Sequence, residues 1–93
     1  MSRNQDKLRV EIVDRLAPVW SGRANYVSIP AVDGRLGILS GRQPILAVLE
    51  PGSVEIHTAG EPVVTVSVDK GFASVDSDFV TIVVEGGSLV EVE

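Results

Sequence analysis

The chain contains no cysteine. Disulfides, thiolate nucleophiles and cysteine-based metal sites are therefore excluded. Aromatic residues are nearly as scarce, at 4% of 93 residues, which leaves little with which to build a stacking platform for sugars or bases. Lys and Arg number 8 against 13 Asp and Glu, for a formal net charge of −5. The basic residues are scattered rather than clustered. Nucleic acid is thus disfavoured as a partner, because phosphate binding needs a positive surface, and anionic lipid is disfavoured for the same reason. Long apolar runs are missing too. The longest is Ile45–Leu49, against the roughly 20 residues of a membrane-spanning helix, so no direct lipid insertion is expected. The opening residues, MSRNQDK, lack the apolar centre of a signal peptide and read as a flexible polar N-terminus over 1–7. Residues 8–93 are then one domain, with a modest core.

What the chain has in abundance is valine and isoleucine, 17 and 6 of them. β-Branched side chains favour strands, and the periodicity agrees. In residues 8–14 Leu8, Val10 and Ile12 take one face and Arg9 and Glu11 the other. Val54 and Ile56 oppose Glu55 and His57. Val64, Val66 and Val68 oppose Thr65, Ser67 and Asp69. Val80, Ile82 and Val84 share a face, as do Val90 and Val92. This is period two over most of the chain. Turn signals separate the runs: Ser21-Gly22, Asp33-Gly34, Pro51-Gly52, Gly60-Glu61-Pro62, Asp69-Lys70-Gly71, Asp76-Ser77-Asp78 and Gly86-Gly87. The pattern predicts an all-β fold, an antiparallel β-sandwich or flattened barrel of roughly 8–10 short strands. Residues 45–50 could form one helical turn, which proline at both ends would keep from growing.

A catalytic constellation is hard to assemble. His57 is the sole histidine and alternation puts it on the wet face of a strand beside Glu55, not in the position of a general base. No serine sits in a G-x-S-x-G elbow. Asp76 and Asp78 suggest hard-cation ligands, but Asp-x-Asp alone is incomplete and reads better as turn chemistry. The glycines of 34–41 resemble a phosphate loop only superficially, since Gly41 is followed by Arg42-Gln43-Pro44 and not by a Lys-Ser/Thr pair opening a helix. No catalytic, cofactor-binding or metal residue is expected. Trp20, the only tryptophan, reads as core packing. Val13, Val63, Val83 and Leu89 fall on the nominally wet sides of their strands, and a cluster of them would mark a protein contact. Arg35 and Arg42 read equally well as solvated charges or as a docking edge.

The richest stretch is residues 33–52, DGRLGILSGRQPILAVLEPG. Its order Gly34, Leu36, Gly37, Ile38, Leu39, Gly41, Pro44, Ile45, Leu49, Pro51, Gly52 resembles the epsilon subunit of bacterial and chloroplast F-type ATP synthases. That region reads there roughly G-x-hydrophobic-G-I-L-P-G-H-x-P-L, then a leucine-rich run and P-G. Ser40 stands where the family usually has proline, and Arg42 where it often has histidine. Leu8–Asp14 is similar to the family's first strand, Trp20-Ser21-Gly22 to its aromatic-S-G turn, and Gly71-Phe72 followed by Phe79-Val80-Thr81-Ile82 to its later strands.

The resemblance implies the N-terminal β-sandwich of a central-stalk (rotor) subunit, which has no catalytic chemistry of its own and couples proton translocation to ATP synthesis. It implies the gamma subunit, the c-ring and the whole F1Fo complex as partners, at the cytoplasmic face of a bacterial cell membrane. It tips the two arginines toward docking, with a c-ring-facing loop of Asp33, Gly34, Arg35, Ser40, Gly41, Arg42 and Gln43. The alanine-, glutamate- and arginine-rich helical hairpin of longer epsilon subunits is not found before Glu93, so its hydrolysis brake and ATP binding are not expected of these residues. A stand-alone interaction or carbohydrate-binding module is the alternative, and would need an exposed aromatic platform from Trp20 and Tyr26. A small hydrolase fares worse, for want of a base and a nucleophile.

Overall fold

A computed structural model describes residues 7–14, 17–85 and 88–92, the last segment by its backbone alone. The expected flexible N-terminus lies almost wholly outside the described residues. Ten strands follow one another: β1 (Leu8–Asp14), β2 (Ala17–Ala24), β3 (Tyr26–Ala31), β4 (Gly34–Ile38), β5 (Ile45–Leu49), β6 (Gly52–His57), β7 (Val64–Val68), β8 (Lys70–Asp76), β9 (Phe79–Glu85) and β10 (Ser88–Val92). They form one sheet in the order β10-β7-β6-β3-β5-β8-β9-β1-β2, with β4 paired to the remaining edge of β3. The sheet curls on itself, so that β10 and β2, its two ends, come into contact.

The curl follows from alternation. Leu8, Val10 and Ile12 of β1, Val54 and Ile56 of β6, Val64, Val66 and Val68 of β7, Ala73 and Val75 of β8, and Val80, Ile82 and Val84 of β9 are all buried. One face of every strand is apolar, and closing the sheet is the way to bury all those faces together. Each valine or isoleucine so buried contributes on the order of 1.5–3 kcal/mol. The five alternating runs of the sequence thus become β1, β6, β7, β9 and β10.

Four features go against or beyond the sequence reading. The pairing of β1 with β9 is parallel, Arg9↔Phe79 to Asp14↔Val84, whereas the other pairs are antiparallel. Residues 45–49 are strand and not a helical turn, because Ile45 to Leu49 pair with Val75 to Gly71 of β8. Ser21-Gly22 lies inside β2, opposite Glu11 and Val10. The Trp20 ring lies over Gly22 and would come within 2.7 Å of a Cβ at that position. Finally, β3 carries Pro30 in its interior, normally a signal against a central strand. The proline is tolerated because β3 changes partner there: Tyr26 to Ser28 pair with β6 and Ala31 with β5. Pro30 only accepts at that junction, from the Glu50 N–H at 2.9 Å.

Gly71 is the most crowded of the described glycines. It lies opposite Val84 with φ +157°, and a Cβ built on it would overlap the Val83 carbonyl oxygen. Backbone cannot yield as a flexible side chain would. Gly71→Ala is therefore expected to destabilise the fold by about 2 kcal/mol or more. Val66→Asp, at a fully buried position, places an unpaired carboxylate in the core and is expected to abolish the cooperative thermal transition. Ser67→Asp on the exposed face of the same strand should cost no more than about 1 kcal/mol. Thermal melts of the three variants check this.

Candidate partner-docking site

The loop 39–44 joins β4 to β5, and all six of its residues are exposed. Its bend is at Gly41, φ +88°. Two hydrogen bonds tie it down, both to one carboxylate. The Ser40 hydroxyl donates to Asp78 Oδ2 at 2.8 Å, and the Gly41 N–H donates to Asp78 Oδ1 at 2.8 Å. Asp78 is the second residue of the two-residue turn between β8 and β9. Ser77 and Asp78 have φ 53° and 65°, the signature of a type I′ hairpin turn, in which aspartate tolerates the left-handed conformation. The backbone oxygen of Asp78 accepts from the Arg9 N–H at 2.9 Å, so the same residue joins the turn to β1. The Gly41 amide first, and the Ser40 hydroxyl second, hold the Asp78 carboxyl below its ordinary value of 3.8. Both bonds favour the ionised form.

Arg35 is not a free loop charge. Its Nε donates to Ser28 Oγ at 2.9 Å, and its Nη2 to the Ser28 and Ser53 carbonyls at 3.2 and 2.7 Å. The guanidinium fork thus staples β4 to β3 and to β6. Val32 and Asp33 form the turn between β3 and β4, closed by the pair Ala31↔Gly34 with Gly34 at φ +121°, at the far end of β4 from Ser40 and Gly41. The seven expected loop residues are thus divided between the two ends of β4. They line two adjoining clefts. One, of about 450 Å³, is bordered by Gly37, Ser40, Gly41, Arg42 and Gln43; the other, of about 430 Å³, by Asp33, Gly34, Arg35 and Arg42 with Leu46 and Val48. Arg42 and Ile45 border both. Among the described residues Arg42 forms no ion pair.

A second surface emerges on the outer face of β5, β8, β9 and β1. The register places Val48 beside Phe72, Phe72 beside Val83, and Val83 beside Val13. These four form an apolar row running across the strands. Val48 and Phe72 are 58% and 48% exposed, and Leu46, farther along β5, is 72% exposed. Two of the four wet-face hydrophobics noted in the sequence, Val13 and Val83, are thus neighbours. Val63 is half-buried ahead of β7, and the Leu89 side chain lies outside the described residues. Periodicity misses Phe72, which stands in a run without clean alternation.

The other candidates resolve into structure. His57 is 3.7 Å from Glu55 Oε1, and its ring is tilted against Tyr26 with centroids 5.2 Å apart. Tyr26 in turn covers Gly37, where a Cβ would lie 2.6 Å from the phenol oxygen. Trp20 is half-buried against the core. Neither aromatic offers the open platform that a carbohydrate module needs. Asp76 Oδ1 accepts from the Ser77 hydroxyl at 3.3 Å. Among the described residues no group of three His, Asp or Glu could hold a metal ion, and no helix is long and apolar enough to cross a membrane.

Comparison with known proteins gives this geometry a family. Residues 7–88 match the model of the ATP synthase delta/epsilon chain β-sandwich domain. An ATP synthase epsilon chain of Micrococcus luteus is 46% identical over 76 residues, covering 82% of this chain and 84% of that one. One from Frankia casuarinae is 42% identical, covering 88% and 96%. One from a Nostoc species is 37% identical, covering 86% of this chain and 59% of the longer relative. Among solved structures, the fold is matched in the cryo-EM structure of the Euglena gracilis mitochondrial ATP synthase, OSCP/F1/c-ring, with TM-score 0.83 at 18% identity, over 91% of this chain and 54% of that one. It is matched again in the Tetrahymena thermophila mitochondrial ATP synthase central stalk/c-ring, with TM-score 0.73 at 18% identity, over 89% and 66%. With a family model spanning nearly the whole chain and relatives this similar, the chain belongs to the delta/epsilon family of ATP synthase subunits, through its β-sandwich domain.

Proposed function

We propose that this chain is a non-catalytic central-stalk subunit that links the gamma subunit to the c-ring and turns with them, at the cytoplasmic face of a bacterial cell membrane. The observation that carries the reading is the coexistence of two unlike surfaces on one stiff body. The apolar row Val48–Phe72–Val83–Val13 suits a permanent partner, since lasting interfaces are the more hydrophobic, and we assign it to gamma. The exposed polar loop with Arg42 suits the polar loops of the c-ring. The two surfaces adjoin along β5, where Leu46 and Val48 border a cleft that Arg42 also borders. A body held by ladder bonds and a close-packed interior transmits rotation with little loss to deformation.

Within the proposed loop the arginines divide. Arg35 serves the fold through its three hydrogen bonds, and Arg42 is the charge available to a partner. Arg42→Glu is expected to change the stability of the free subunit by less than about 0.5 kcal/mol and to lower proton pumping by the reconstituted enzyme. Normal pumping with a normal melt would make Arg42 a solvated charge and remove it from the interface. Phe72→Lys should leave the fold within about 1 kcal/mol of wild type yet weaken association with purified gamma at least tenfold, about 1.4 kcal/mol. Undiminished gamma binding would show that the row faces something else.

A further inference from the structure

We infer that Asp78 is a positioning residue for the docking loop: it presets the conformation in which residues 40–43 present Arg42 to the partner. The inference rests on the reading that this loop docks, and adds to it a residue from a distant hairpin. The loop is six exposed residues between two strands, and a segment of that kind samples many conformations unless it is tied down. Its only described side-chain hydrogen bonds go to Asp78, one from the Ser40 hydroxyl and one from the Gly41 amide, each 2.8 Å long and each to a different carboxylate oxygen. Gly41 is also the residue with positive φ, so the clamp grips the loop at its bend and next to Arg42.

The anchor itself is rigid. Asp78 belongs to a two-residue turn that cannot lengthen without breaking the β8–β9 register, Asp76↔Phe79, and its carbonyl is held by the Arg9 amide. The loop is thereby referenced to β1, β8 and β9, three strands of the sheet that carries the apolar row. A carboxylate accepting two donors at once is a stronger tether than a neutral pair. Ser40 supplies a hydroxyl to this clamp where the resembled pattern has proline, which could donate nothing. The loop and the row would then be held at a fixed spacing, as a coupling element between two partners requires.

The test compares Asp78→Gly, Asp78→Asn and Ser40→Ala with wild type. Glycine removes the carboxylate and keeps the positive φ of the turn comfortable; asparagine keeps an oxygen facing the Gly41 amide. NMR of the free subunit follows the Gly41 amide proton with pH. Because the folded carboxyl is depressed, the clamp is present above the ordinary value of 3.8 and is lost as pH falls through the lower folded value. The wild-type Gly41 resonance should therefore move with a titration below 3.8 that disappears in Asp78→Gly. Melts of the three variants should stay close to wild type. Proton pumping should be lost in Asp78→Gly to the extent seen for Arg42→Glu, retained in Asp78→Asn and partly lost in Ser40→Ala, and the Asp78→Gly/Arg42→Glu double variant should pump no worse than either single one. A Gly41 resonance indifferent to Asp78→Gly overturns the proposal, since the clamp is then absent in solution. A shifted Gly41 with full pumping, while Arg42→Glu still loses pumping, overturns it and leaves the docking reading standing. Full pumping by both Asp78→Gly and Arg42→Glu sinks the docking reading and the inference with it. Should Asp78→Gly fail to fold, Ser40→Ala carries the same comparison from an exposed loop position.

Discussion

A close-packed apolar interior shared by the nine short strands β1 to β9 is what the rest of this molecule depends on. No strand here is longer than eight residues, and none could hold its apolar side chains against water alone. Leu8, Ile12, Ile29, Ile38, Ile56 and Ile82 are each fully buried, and they come from five different strands. Remove one strand's contribution and the others lose neighbours rather than merely area. The parallel pairing of β1 with β9 is central to this. It inserts the first strand between β9 and β2, so the start of the chain is locked by residues some seventy positions later, at a loop-closure cost that only a well-packed interior can offset.

Much of that interior was legible in the sequence because alternation is a local property. The Val64, Val66, Val68 face of β7 and the Val80, Ile82, Val84 face of β9 stand where period two puts them. Other elements were hidden for identifiable reasons. In β2 the alternation is broken by a register shift opposite Ile12 and Val13 and by Trp20 folding over Gly22, so Ser21-Gly22 looked like a turn. In β3 Pro30 signals against a strand, and only the switch of partner from β6 to β5 accommodates it. Residues 45–49 sit between prolines and could have been helix; pairing with β8 decided for strand. The parallel pair was out of reach altogether, since a sequence pattern shows which face is apolar and not which distant strand lies alongside.

The candidate site divides in the same way. The glycine-bent segment 33–43 announced itself by composition, and Arg42 stands exposed as expected. Arg35 did not reveal from its position that three acceptors on two other strands would engage it. Asp78 was visible as a turn residue, but its partners Ser40 and Gly41 are 37 to 38 positions away, and nothing local indicates them. The one available hint was Ser40, a hydroxyl in a place where the resembled family has a residue with no donor. Val48, Phe72, Val83 and Val13 become a row only through three separate strand registers.

On the proposed function, two neighbouring surfaces of one rigid body serve two different partners. The absence of cysteine from these 93 residues allows this to be examined directly, because a single introduced thiol is then the only one among them. Phe72→Cys and Gln43→Cys, each assembled into the complete enzyme and treated with a short thiol-directed photocross-linker, report which subunit each position touches. Phe72→Cys is expected to link to gamma and Gln43→Cys to the c-ring. Reversed partners, or one and the same partner from both positions, would contradict it.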